Sequence, residues 1–502
     1  MEHLVETIGV VHVLPFSPSS SDRGFSVIDY TSVDPGLGTW GDIESLAATV
    51  DLMADLVCNH TSADSSWFRQ FVANEPLGRD YFITVDAHAD TSTVVRPRTL
   101  PLIQAVQTQA GPRHVWCTFS HDQADLDYSN PDVLLEMLRV LDLYITAGAR
   151  FIRLDAVAYL WKQLGTPCIH LPQTHEVIRL WRTLLHQRAS HVGLITETNV
   201  PVEENLSYFG TGDEAHLIYN FTLPPLVIDA LLRGRSDHLT SWMQAMPPAP
   251  EGCAYLNFLA SHDGIGLRPA AGLLSQGEIN GLVATTEASG GLHGTYTTPD
   301  GPLPYELNIA LWDLLSGTAT NPADGAQVDR FVCAHAIMFG LAGIPALYVN
   351  SLFAQPSDAD GAAASGVRRD INRSGVELGA ALALLEDPTT AQGEAIARLL
   401  GLLGTRGAQS AFHPNANQSA IDLGKHLVGF RRSAADGVQT ILAISNCTAH
   451  DVTVAFNDLP ALDAATPWHD LIAGGLIDLA ARGLVLTPYQ TVWMTNTDVD
   501  TG

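Results

Sequence analysis

Three acids, Asp155, Glu197 and Asp263, each stand at the end of a short apolar run in a chain of 502 residues. Two carboxylates about 5 Å apart across a glycosidic bond perform a retaining displacement, in which one attacks the sugar and the other protonates the leaving oxygen. A third can orient the sugar and favour its distorted, oxocarbenium-like form. The clearest run is Phe151-Ile-Arg-Leu-Asp155. Strand side chains alternate faces, so Arg153 and Asp155 point the same way. An arginine beside a carboxylate keeps it ionised, as a nucleophile must be. His60 and His262 close two more runs and add neutral donors. Any one of these residues could be a structural strand-end group. Five on successive strand ends point to one shared mouth.

The elements that must position them read as alternating strands and helices. Val10–Pro15, Leu52–Val57, Phe151–Asp155, Val192–Glu197, His216–Tyr219 and Ala254–Ala260 are short apolar runs, and Ala346–Val349 reads as the last barrel strand. Helical spacing falls at Asp42–Val50, after Asn130-Pro131 up to Gly148, at Gln173–Ala189 and at Leu223–Arg233. Asn130 can cap its helix, Pro131 opens it and Gly148 closes it. Strand, helix, strand with acids at C-terminal strand ends is the grammar of a (β/α)8 TIM-type barrel. The barrel is expected over 1–60 and 128–411, with an inserted subdomain at 61–127 and a Gly-rich insertion at 267–323 that is longer than a loop needs. From 412 to 502 short strands follow one another without helices, which predicts an antiparallel β-sandwich.

The net charge of −28, with lysine only at Lys162 and Lys425, argues against nucleic acid or anionic membranes as partners. Small molecules are the expected partners, and the oligomeric state is not readable. The six cysteines show no C-x-x-C spacing and sit mostly in apolar runs, so free thiols in a reducing, cytoplasmic compartment are expected. No metal cluster, nucleotide loop or redox motif is present in the sequence, and no cofactor is expected.

Four stretches carry a family likeness: Asp55-Leu-Val-Cys-Asn-His60, Phe151-Ile-Arg-Leu-Asp155, Thr196-Glu-Thr-Asn199 and Ser261-His-Asp263. In order and spacing they resemble the four signature regions of glycoside hydrolase family thirteen, the α-amylase superfamily. Asp22–Tyr30, Asp155–Tyr159, His262–Gly266 and Gly366–Arg373 are similar to the sucrose phosphorylase subfamily. The resemblance implies Asp155 as nucleophile, Glu197 as general acid/base and Asp263 as transition-state stabiliser. It implies that Arg153, His60, His262, Gln123 and the pair Asp22 and Arg369 hold the glucosyl unit, with Phe25 as a stacking platform. In the subfamily inorganic phosphate, as co-substrate, takes the glucosyl group in place of water. Arg98 and Tyr159 stand at positions of phosphate contacts, and Asn199, Tyr305 and Glu306 at the acceptor side.

Two departures qualify the likeness. Val10–Pro15 corresponds to the family's second strand, with no counterpart of the first strand ahead of it. The acceptor loop Gly301–Asn308 lacks the aspartate of sucrose-specific members near Leu303, and Asn199 replaces their histidine. The wording Asp263–Pro269 and Tyr305–Asn308 is closer to members acting on glucosylglycerol or glucosylglycerate. No lysine or arginine lies between Arg268 and Arg330, which favours neutral glycerol over anionic glycerate as the leaving group. The expected activity is therefore a retaining α-glucoside phosphorylase releasing α-glucose 1-phosphate, with glucosylglycerol favoured and sucrose or glucosylglycerate as other substrates. Hydrolysis or transglucosylation on the same acids, and a barrel kept as a non-catalytic binding module, are the alternatives.

Overall fold

The computed structural model describes the chain except residues 1–3, 5–6, 98–99, 299–300, 319–320, 322–323, 461, 464 and 498–502. Arg98 thus lies outside the described residues. The chain forms two compact units: Met1–Thr198 with Glu203–Tyr219 and Tyr296–Pro299, and Asn199–Val202 with Asn220–Thr295 and Asp300–Gly502.

The first unit is built on parallel strands β1 (Val10–Val13), β2 (Asp51–Val57), β3 (Ala149–Asp155), β4 (Gly193–Thr196) and β5 (Leu217–Tyr219), hydrogen-bonded in that order. Helix α1 (Trp40–Ala47) joins β1 to β2 and starts two residues before the spacing suggests, because Thr39 and Asp42 form a capping box. Helix α2 (Pro131–Thr146) leads into β3; Asn130 accepts from the Asp132 N–H, and Gly148 turns the chain at φ +100°. Between β2 and β3, Ser66–Val72 is helical, and Thr84–Val85, Ile103–Thr108 and Gly111–Trp116 form a small antiparallel sheet. The polar region of the sequence is therefore structured. Helix α3 (Pro172–Arg188) precedes β4.

In the second unit β6 (Ala254–Asn257) pairs in parallel with β7 (Ile344–Pro345). The last strand is thus two residues earlier than the apolar run Ala346–Val349, and Val349–Leu352 is a helical turn. The Ala346 N–H still reaches the Asn257 carbonyl at 2.7 Å, and the chain then leaves the sheet for the helical turn at Val349. Gln276–Ala288 is a helix, and Ile265–Gly266 pairs antiparallel with Gly301–Asn308. The helix Gln327–Gly340 is buried from Arg330 onward, and its Phe331 and Phe339 share one core with Phe412, Phe430 and Trp493. At the C-terminus, Asn417–Ile421, Leu427–Ser433, Thr440–Asn446, Thr491–Thr495 and His469–Asp470 make a five-stranded sheet, accompanied by a two-stranded one. All six cysteines are free and buried. No helix among the described residues is long and apolar enough to cross a membrane.

Candidate active site

In the first unit the site begins with register. β1 pairs His12 with Met53, and β2 pairs Asp55 with Arg153 and Val57 with Asp155. The β2–β3 register slips by one residue between Leu52 and Met53. Without that irregularity the alternation would place Ile152, not Arg153, opposite Asp55, since a one-residue slip exchanges faces. With it, Arg153 Nη1 donates to Asp55 Oδ1 and Oδ2 at 2.8 and 2.9 Å and to Asp155 Oδ1 at 2.8 Å. Its Nη2 lies 4.0 Å from Glu197 Oε2. One guanidinium, 3% exposed, therefore gathers three carboxylates, including both acids expected to act on the sugar. Phe25 and Tyr219 place their rings 5.7 Å from it. Burial alone would raise the Asp55 pKa, but Arg153 beside it, with His12, holds it below the usual carboxylate range. The same carboxylates outweigh burial at Arg153 and push its pKa up.

Asp155 is the last residue of β3, and the chain turns at once through Ala156 in a left-handed conformation, φ +51°. A non-glycine residue there is strained. The turn aims the Ala156 N–H at Glu197 Oε2, 3.2 Å away. Cys58 donates its thiol to the Asp155 carbonyl at 3.3 Å, and burial pushes that thiol's pKa well up, so it stays protonated.

The glucosyl-binding candidates of this unit meet around a second strained turn. Asp22, Arg23 and Gly24 all have positive φ, and a Cβ on Gly24 would come within 2.6 Å of the Pro15 carbonyl. Three hydroxyls, from Ser20, Ser21 and Ser26, donate to Asp122 Oδ2 at 2.6–2.7 Å and pin the turn. Gln123 donates to Asp22 Oδ2 at 3.4 Å and to the Phe25 carbonyl at 3.2 Å. His60 Nε2–H donates to the same carbonyl at 3.0 Å while Nδ1 accepts from Asn59 at 3.2 Å. Burial lowers its pKa and keeps it neutral. Phe119 lies edge-on to Tyr159 at 5.6 Å and tilted to His60 at 5.2 Å, so it connects Tyr159 to this group.

In the second unit Arg369 is the centre. Its Nη1 donates to Asp263 Oδ1, and it forms a two-point pair with Glu306, Nε to Oε1 at 3.0 Å and Nη2 to Oε2 at 2.7 Å. Arg373 Nη2 lies 3.5 Å from Asp263 Oδ1, and Arg373 Nε and Asn372 donate to the His262 carbonyl at 2.7 and 2.9 Å. Glu306, read as an acceptor-side residue, is thus engaged in holding Arg369. Tyr305 contributes its carbonyl to the Leu267 N–H at 2.8 Å. Asn199 packs its amide against Gly266, where a Cβ would approach within 2.8 Å, and its buried Oδ1 has no hydrogen-bond partner among the described residues.

Residue-by-residue reading missed His12, Asp55, Asp125, Lys162 and Arg373. Lys162 Nζ, 3% exposed, sits 2.5 Å from Asp125 and donates to Asn59 Oδ1 at 2.7 Å. The signal was present: an aspartate inside Leu-Met-Ala-Asp-Leu-Val demands a buried counter-charge. Among the described residues no group of three or more His, Cys, Asp or Glu is arranged to hold a metal ion.

A parallel α/β barrel whose strand ends carry an arginine-bridged carboxylate pair is the framework of an enzyme acting on glycosides. Comparison with known proteins gives the family. The α-amylase catalytic-domain family matches residues 5–264, and the chain belongs to it. It is 47% identical over 494 residues to a glucosylglycerate phosphorylase of Allomeiothermus silvanus, covering 98% of this chain and 86% of that one. A glucosylglycerate phosphorylase of Escherichia coli is 40% identical over 96% of this chain and 85% of its own. A glucosylglycerol phosphorylase of Marinobacter adhaerens is 30% identical over 82% of this chain and 83% of its own. The solved sucrose 6F-phosphate phosphorylase of Thermoanaerobacter thermosaccharolyticum superposes with a TM-score of 0.79 at 24% identity, covering 97% of this chain and 92% of that one, and shows the same fold. The chain is thus an enzyme, a glycoside phosphorylase of the sucrose and glucosylglycerate phosphorylase type.

Proposed function

We propose that this enzyme transfers the glucosyl group of an α-glucosylglycerate to inorganic phosphate. Asp155 attacks the anomeric carbon as Glu197 protonates the departing glycerate oxygen. A phosphate oxygen then attacks the same carbon, returns its proton to Glu197 and frees Asp155, so α-glucose 1-phosphate leaves with retained configuration. Asp263 stabilises the oxocarbenium-like transition state, and Asp22, Phe25, His60, Gln123, Arg153, His262 and Arg369 hold the sugar. Arg98 and Tyr159 serve phosphate, and Asn199, Tyr305 and Glu306 the acceptor side. No cofactor enters this scheme. The free thiols support a cytoplasmic location.

The observation that carries the choice of substrate is the identity to relatives named for glucosylglycerate, 47% over 98% of the chain, against 30% over 82% for the one named for glucosylglycerol. Glucosylglycerol remains the second reading, favoured by the lack of any lysine or arginine between Arg268 and Arg330. Purified enzyme is incubated with glucosylglycerate, glucosylglycerol or sucrose, with and without phosphate, and α-glucose 1-phosphate is measured. The expected result is phosphate-dependent product, fastest from glucosylglycerate. Glucose released at the same rate without phosphate overturns the phosphorylase mechanism, and a faster rate with glucosylglycerol overturns the substrate.

A further inference from the structure

His12 belongs to none of the motifs that define the site, yet it touches the charge network behind Asp155. It lies on β1, whose parallel register with β2 sets it opposite Met53 and on the same face as Asp55 two residues on. His12 Nε2 is 3.1 Å from Asp55 Oδ2. Asp55 is buried, with a side chain 0% exposed, so its oxygens must be satisfied from within the protein. Arg153 Nη1 spans both of them and also reaches Asp155. Three neighbouring strands thus carry a continuous line: histidine, carboxylate, guanidinium, nucleophile.

We propose that His12 is a positioning residue for glucosyl transfer: by donating to Asp55 it fixes how Arg153 is shared between Asp55 and Asp155. Arg153 Nη1 carries two protons and faces three acceptors, Asp55 Oδ1 and Oδ2 and Asp155 Oδ1. The Nε2–H of His12 occupies one Asp55 oxygen and leaves the guanidinium available to the attacking carboxylate. When His12 is replaced by a group that cannot donate, Asp55 draws Arg153 toward itself, and Asp155 loses the contact that orients its attacking oxygen. The ring acts through two other side chains, and of the residues that hold the sugar only Arg153 is moved, so the effect falls more on the glucosylation rate than on sugar affinity. This inference rests on Asp155 as the nucleophile of the proposed function.

The test compares wild type with His12→Gln, which keeps a donor near the Nε2 position, and with His12→Met and His12→Phe, which have none. Folding is checked by near-UV circular dichroism, and single-turnover glucosylation by α-glucosyl fluoride is followed together with glucose inhibition constants. The expected result is a 10- to 100-fold slower glucosylation in the Met and Phe variants, a glucose inhibition constant within twofold of wild type, and Gln within about threefold of wild type. If the Phe variant does not fold, Met carries the comparison. Folded Met at wild-type rate, Gln as slow as Met, or a loss confined to glucose affinity overturns the inference. An inert wild type, or Asp155→Asn turning over normally, instead overturns the nucleophile assignment itself.

Discussion

Replacing Arg153 by methionine removes the cation on which Asp55 depends, and the consequence can be worked out in sign and size. Asp55 loses bonds of 2.8 and 2.9 Å and keeps only His12. Removing one partner of a buried ion pair costs about 3–5 kcal/mol because the other charge stays buried. The pH dependence is the sharper check. In the wild type Asp55 is held below its ordinary range, so its stabilising contribution is present above the unfolded pKa, about 3.9, and is lost as pH falls through the folded value. In Arg153→Met burial acts with little opposition and raises Asp55, so the variant binds a proton that its unfolded chain does not. Its stability then increases as pH falls from 8 toward 5, by about 1.4 kcal/mol per unit while Asp55 titrates. Urea unfolding of both proteins at half-unit steps between pH 5 and 8 measures the gap. A gap below 1 kcal/mol at pH 7, or one that does not narrow toward pH 5, refutes the reasoning. Asp55→Asn combined with Arg153→Met should recover about 2 kcal/mol of the loss, since the fully buried Asp55 charge that lost its partner is then gone, while Asp155 still lacks Arg153.

His335 is 1% exposed, donates Nδ1–H to the Phe331 carbonyl at 2.8 Å and has its pKa lowered by burial to about 4. The folded state keeps it neutral while the unfolded chain protonates near 6.5, so stability is lost as pH falls from 6.5 toward 4, by up to about 3 kcal/mol. His335→Leu should flatten that acid limb in urea titrations at pH 7 and 4.5. Gly24→Ala places a Cβ 2.6 Å from the Pro15 carbonyl at φ +112°; it should raise KM for the glucoside at least tenfold by moving Asp22 and Phe25, and cost about 1–3 kcal/mol by thermal unfolding. Glu306→Gln removes one charge from the two-point pair with Arg369 and should lower kcat/KM by about tenfold, read by steady-state phosphorolysis, with Tm changed by only a few degrees.

How much of this was legible in the chain follows from which interactions are local. Asn130 and Pro131 announce helix α2, and the i, i+2 spacing of Arg153 and Asp155 announces their shared face; both needed only chain neighbours. Asp55, 98 residues from Arg153, and Asp125, 37 residues from Lys162, gave no comparable sign, because their partners arrive from other strands and loops. What could be read was a demand: a carboxylate in an apolar strand needs a cation, whose identity only the β2–β3 register supplies. The last strand was misplaced for a related reason. Ala346-Leu-Tyr-Val349 is apolar enough for a strand, but after the Ala346 N–H bonds Asn257 the chain turns into the helical Val349–Leu352.

Charges counted along the chain say less still about the acceptor. Glu306 is an example. The resemblance places it at the acceptor side, and in space Arg369 grips it at two points and also holds Asp263. In the second unit, Asp263 and Glu306 are balanced by Arg369 and Arg373. In the first unit Asp55, Asp155 and Glu197 converge on one guanidinium, that of Arg153. That surplus of negative charge suits a developing oxocarbenium ion and repels an incoming phosphate. The proposed phosphorolysis therefore requires a further cation at the phosphate, and Arg98 is the residue that the resemblance supplies for it. An anionic glycerate faces the same field, so a cation that admits phosphate can admit glycerate too. An empty stretch between Arg268 and Arg330 then says little about the charge of the leaving group.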